Sequence, residues 1–201
     1  MTKTDLDAKL HRFLGSLFAA VEPALDGPGL ERVFVEARAA SEHLPVAESA
    51  EGRQIAVCSW LQPALDAQMP SDTLNEVTNG LKALAPHLSW FTRPDATGTG
   101  SPNFPDGHGN AIIVGPDGLA VSSELWIGVS LLAPGVRYPD HTHPPEELYL
   151  VLSPGDFRNA ETQWRAPGVG GLFHNPPGIV HAMRSGDDPL LAVWMLVPAA
   201  D

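Results

Sequence analysis

The chain has 201 residues, 43% hydrophobic and 18% charged, which is the balance of a globular protein and not of a disordered one. Its 24 acidic and 12 basic residues leave a formal net charge of −12, which argues against a nucleic-acid or anionic-membrane partner, since either needs a basic surface. No apolar run approaches the ~20 residues of a membrane span, and the opening MTKTDLDAKLHRF lacks the apolar core of a signal peptide, so a cytoplasmic protein is expected.

Leu6, Leu10, Phe13, Leu14, Leu17 and Val21 recur at three- and four-residue steps and predict a first helix with Thr4 as its N-cap. Pro23 and the cluster Asp26-Gly27-Pro28-Gly29 end it. A second helix is expected over 30–42, stopped before Pro45, and a third over 53–69, interrupted near Pro63. A fourth starts at Ser71 and carries Leu74, Val77, Leu81 and Leu84. None reads as a basic recognition helix, so the group is expected to pack against the C-terminal half of the chain and not to bind DNA. Cys58 is the only cysteine; set in the run IAVCSW it reads as a small buried hydrophobe, and without a disulfide partner it suits a reducing compartment.

Residues 92–109 are rich in Gly, Pro, Ser, Thr and Asp and read as a loop joining a helical region, 1–91, to a second region, 110–201. There the texture changes to short runs (AIIV, LAVS, LWIGVSLL, ELYLVL, GIVHAM, LLAVWMLV) separated by Gly- and Pro-bearing turns. That pattern predicts an antiparallel sandwich or barrel, so the fold class is mainly β with α.

Of the eight histidines, His11, His43, His87 and His108 stand alone and read as hydrogen-bonded bystanders. The stretch from Gly135 to Tyr149, GVRYPDHTHPPEELY, is different. In an extended chain residues two apart share a face, so His141 projects with His143, and Glu147 with Tyr149, while Leu148, Leu150 and Leu152 point the other way. Glu146 competes with Glu147 for the ligand position but would project with the leucines, so Glu147 is taken. Two imidazoles and a carboxylate form an incomplete ligand set for one divalent transition metal, and His181 in PPGIVH is the natural fourth donor. Such a set accepts iron, zinc, manganese, cobalt or nickel.

These residues meet a known pattern. Gly135, His141, His143, Glu147 and Gly155 resemble cupin motif 1, with one extra residue before the last glycine, and Gly170, Pro176, Gly178 and His181 resemble cupin motif 2, with Ser185 where Asn is usual. Together with Tyr138 and Tyr149, the chain's two tyrosines, the arrangement looks like the bacterial cupin-type dimethylsulfoniopropionate lyases of the DddQ kind. That resemblance implies a single cupin β-barrel (a double-stranded β-helix) preceded by a helical region. It implies metal ligands at His141, His143, Glu147 and His181, with the residue at 141 able to stand back from the ion. Tyr149 would be the metal-proximal base and Tyr138 would assist at the substrate, a zwitterion cleaved by β-elimination to dimethyl sulfide and acrylate. Trp126, Trp164, Phe173 and Trp194 are candidates to hold the sulfonium, and Arg137 and Arg165 to assist the carboxylate. Two rivals stay open: an iron dioxygenase on the same ligands, and a small-molecule-binding cupin without turnover. Either a monomer or a homodimer fits.

Overall fold

The computed structural model describes residues 3–47, 51–160 and 162–199. Helix α1 (Lys3–Val21) buries Leu6, Leu10, Phe13, Leu14 and Leu17 along one stripe. Lys3 is already helical, so Thr4 lies inside the first turn and is not the cap. Helix α2 (Pro28–Ala40) begins two residues ahead of expectation because Pro28 suits a first turn, where a missing N–H costs nothing. The expected helix over 53–69 is a 3-10 stretch (Ala56–Trp60) running into a short α3 (Leu61–Leu65), with Pro63 tolerated near the start of α3. Helix α4 (Asp72–Leu84) starts after Ser71, whose Oγ accepts the Leu74 N–H at 3.3 Å. It crosses α1 closely at Gly80, where an added Cβ would stand 3.1 Å from the Phe13 Cα.

The strands are β1 (Trp90–Phe91), then, after the one-turn helix α5 (Phe104–Gly107), β2 (His108–Val114), β3 (Trp126–Leu132), β4 (Glu146–Val151), β5 (Asp156–Asn159), β6 (Leu172–Asn175), β7 (His181–Arg184) and β8 (Leu190–Val197). One six-stranded sheet runs β1-β2-β3-β8-β4-β6, and β5 pairs with β7 in a second. Antiparallel bridges Arg137↔Arg184 and His141↔His181 add residues 137–141 to the second sheet. Two expected boundaries move: β1 lies inside the stretch read as helical, and β2 begins at His108, ahead of residue 110. The run LAVS forms isolated bridges only, Ala120 to Val46 and to Val114. Strands β5 and β6 lack a sequence signal, because DFRN and LFHN are too short and too polar to show a period.

The large sheet is buried on both faces. Leu148 and Leu150 of β4, with Leu191, Val193 and Met195 of β8, share a core with the helices. Their alternates Tyr149, Val151, Leu190, Ala192 and Trp194 face the barrel interior, packed with Phe157 of β5 and Met183 of β7. This is the mixed helical and antiparallel architecture of a cupin barrel with an N-terminal helical layer. Among the described residues, no helix is long and apolar enough to cross a membrane.

Candidate metal centre

Three side chains converge at the barrel mouth. His143 precedes β4, Glu147 is its second residue and His181 opens β7. One ligand atom from each lies within 4.8 Å of the others. The motif glycine at 178 adopts a φ of 70°, which only glycine takes without strain, and its N–H donates to the His143 carbonyl at 3.0 Å. Thr142 Oγ1 donates back to the Gly178 carbonyl at 2.7 Å, so the two ligand-bearing loops are laced together.

The imidazoles are prepared for a cation. His143 Nδ1 lies 2.9 Å from the Pro145 carbonyl, and His181 Nδ1 lies 3.0 Å from that of Ile179. A carbonyl only accepts, so in each neutral ring Nδ1 carries the hydrogen and Nε2 the lone pair. In this neutral form neither buried Nε2 makes a hydrogen bond, since it carries no proton for Glu147 to accept. The two atoms stand 3.4 and 3.2 Å from Glu147 Oε2. Two lone pairs facing a buried carboxylate repel unless positive charge lies among them, so the donor set fits one divalent ion. Asn175, across the ladder from Glu147, steadies the carboxylate by donating Nδ2–H to Oε2 at 2.8 Å.

Protons compete for the same place. Burial disfavours the charged form of Glu147, but the hydrogen bonds and charges of His143 and His181 prevail and hold its carboxyl well below the usual carboxylate range. Burial likewise opposes charge on His143, and the hydrogen bond and charge of Glu147 outweigh it, so its pKa is raised.

His141 stands beside this trio and is not among the three whose donor atoms converge. Its ring centroid is 4.1 Å from that of His181 and 6.2 Å from that of His143. Its Nδ1 faces the Pro139 carbonyl at 2.9 Å, the same tautomer-fixing contact the other two make. Burial, then the charge of His181, lowers its pKa to about 4, so it stays neutral and able to donate a lone pair.

A cavity of about 500 Å³ opens over the cluster, and Tyr138 and Tyr149 both line it. Burial, then the Glu147 carboxylate, pushes the Tyr149 phenol well above its ordinary value. Burial also raises that of Tyr138, against a hydrogen bond from Asn110. Of the aromatic candidates, Trp126 and Trp194 reach the cavity. Phe173 is packed against Phe157 in the interior core, and Trp164 lies outside beneath the guanidiniums of Arg137, Arg158 and Arg184, at 5.8, 5.2 and 4.5 Å. Arg137 also pairs with Asp140, and Arg165 covers Phe173, so neither arginine lines the cavity.

Sequence reasoning missed Arg93, Asn110 and Ser130, which do line it. The segment read as a connecting loop is one of its walls, pinned to residues 137–141 by Arg137 N–H to Ser101 Oγ (2.9 Å) and Asp140 N–H to Thr99 Oγ1 (2.8 Å). Glu146 points away from the cavity, as strand alternation requires. It pairs with Arg32 of α2 and with His174 Nε2 at 2.6 Å.

Known proteins resemble this chain. The family model for dimethylsulfoniopropionate lyase matches residues 31–192. The curated dimethylsulfoniopropionate lyase DddQ of Ruegeria pomeroyi is 33% identical over 82 residues, 40% of this chain, and the aligned stretch spans 41% of that relative's length. The crystal structure of the Ruegeria pomeroyi DddQ superposes with a TM-score of 0.75 at 22% identity, covering 95% of this chain and 92% of that one. A structure reported with the lyases RdDddP and RnDddQII gives 0.74 at 24% identity, covering 96% and 94%. At these identities the superpositions speak for the fold. The family match, by contrast, runs through α2, the cavity wall and every residue of the converging trio, and on that extent this chain belongs to the dimethylsulfoniopropionate lyase family.

Proposed function

We propose that the protein is a metal-dependent carbon–sulfur lyase that cleaves dimethylsulfoniopropionate to dimethyl sulfide and acrylate. The observation that carries this reading is the placement of Tyr149 on the cavity face of β4, two residues from Glu147 and beside the His/Glu trio, in a chain of the lyase family. His143, Glu147 and His181, with His141 as fourth donor, would hold the ion. A divalent cation there supplies positive charge, polarising a substrate carboxylate as a Lewis acid and favouring the phenolate of a neighbouring tyrosine.

The remaining steps belong to the chain. Tyr149 takes the proton from the carbon next to the carboxylate. The electron pair of that C–H bond becomes the new C=C bond, and the C–S pair departs with dimethyl sulfide, which leaves neutral and needs no acid. Tyr138 donates a hydrogen bond to the carboxylate. Trp126 and Trp194, which line the same cavity, offer π faces to the sulfonium. A cytoplasmic location, supported by the unpaired Cys58, and a monomeric or dimeric state belong to the same proposal.

Headspace measurement of dimethyl sulfide after adding the substrate to zinc- or iron-loaded protein is the test, with stoichiometric acrylate expected in solution. Oxygen consumption without dimethyl sulfide would favour the dioxygenase, and binding without turnover the sensor.

A further inference from the structure

Two buried polar side chains inside the barrel have no part in holding a metal. Asn110 of β2 and Ser130 of β3 are cross-strand partners, 5% and 2% exposed, in a largely apolar ladder. A buried amide is costly unless its groups are bonded. Ser130 Oγ donates its single hydrogen to Asn110 Oδ1 at 2.6 Å, which fixes the amide so that its NH₂ faces the other way. There Asn110 Nδ2 donates to the Tyr138 phenol oxygen at 3.4 Å.

The ring of Tyr138 is gripped as well. Phe104 and His108 meet it edge-on, with centroids 5.0 and 5.4 Å away, and His141 lies against it at 4.8 Å. His108 is itself saturated: its Nε2 accepts the Arg93 N–H at 2.8 Å and its Nδ1 faces the Phe104 carbonyl. With ring and acceptor lone pair both engaged, the phenol has one group left to use, its O–H.

We propose that Ser130 and Asn110 are positioning residues for Tyr138, a relay that occupies the acceptor side of its oxygen and turns its O–H into the cavity as a hydrogen-bond donor to an anionic substrate group. The lyase reading identifies that group as a carboxylate; the relay itself does not depend on it. The relay also divides labour between the tyrosines: Tyr138 donates, which leaves Tyr149 as the one to accept.

Because the chain has two tyrosines, zinc-loaded protein labelled at tyrosine ¹³Cζ gives two signals, assigned with Tyr138→Phe. Asn110→Leu is expected to move the Tyr138 signal and leave that of Tyr149 in place. It should lower kcat/KM roughly three- to tenfold, the worth of one neutral hydrogen bond. That loss should vanish in a Tyr138→Phe background, where nothing remains to position. Ser130→Ala, which removes one hydroxyl, should shift the same signal to a smaller degree and decides the matter if Asn110→Leu does not fold. An unmoved Tyr138 signal in the soluble variants, or an equal loss of turnover with and without the Tyr138 hydroxyl, would overturn the relay. If the wild type released no dimethyl sulfide, the lyase reading would fall, and the signal shift alone would decide the relay.

Discussion

Tyr149→Phe isolates one oxygen atom. The ring is 4% exposed and its packing survives the change, so the variant should fold and keep its metal on the His and Glu ligands. Dimethyl sulfide release should fall by about 10²–10⁴-fold, the loss expected for a general base; near-wild-type turnover would remove Tyr149 from the mechanism. The trio makes a second prediction. In metal-free protein His143 holds a proton more tightly than an ordinary histidine, and a cation must displace it. Zinc affinity should therefore weaken as pH falls below the raised His143 value, by about tenfold per unit for each ligand proton the ion must displace. Glu147 stays ionised throughout and adds nothing, while His141 adds a second proton only near its value of about 4. Chelator competition between pH 5 and 8 measures the slope, and a flat profile would mean that His143 is no ligand. His143, Glu147 and Tyr149 were legible because alternation along an extended segment is a local property. Asn175, Asn110 and Ser130 were not, since their meaning lies in register: Glu147 faces Asn175 and Asn110 faces Ser130 across ladders that no single segment encodes.

Among the elements, β4 shows how one strand serves two neighbours. Glu147 and Tyr149 face the cavity, and Glu146, on the opposite face, is clamped by Arg32 of α2, which also donates to the Pro198 carbonyl at 2.7 Å and pairs with Glu36 at 3.0 Å. Removing one partner of a buried pair strands the other. Arg32→Met should lower stability by about 1–3 kcal/mol, moderated because His174 still bonds Glu146. Glu36→Ala, at the solvent end of the same cluster, should cost under about 1 kcal/mol. Chemical denaturation of both variants compares them directly, and equal costs would show that the Glu146 contact is no clamp. The clamp was out of reach of the sequence, where Glu146 was only the discarded alternative to Glu147. Helices α1 and α4 were legible from their apolar period, α4 also from its Ser71 cap, and α2 from the Pro and Gly punctuation around it, whereas the start of α1 was not; β5 and β6, at four residues each, were too short for any period to register.

For the whole molecule, two cores share one sheet. The run LLAVWMLV of β8 is apolar at every position because each face of the strand is covered, one by the helices and one by the barrel interior. A fragment beginning at Asn110 would present the helix-facing side, with Leu148, Leu150, Leu191, Val193 and Met195, to water. It should aggregate on expression, which light scattering and size-exclusion chromatography detect; a monodisperse, active fragment would show that the helices are dispensable.

The strand order also carries a consequence in time. β4, which bears Glu147 and Tyr149, is held on one edge by β6 and on the other by β8, residues 190–197. All three converging ligands therefore precede in the chain the strand that fixes their frame. A chain stopped at residue 189 contains His143, Glu147 and His181 yet lacks the Tyr149↔Trp194 and Leu148↔Met195 pairings that hold β4 straight. Such long-range closure is the slow part of folding an antiparallel barrel. A nascent chain should accordingly pass the ribosome without capturing an ion, and loading should wait until β8 has slotted between β3 and β4, which makes metal uptake a late event in this protein's assembly.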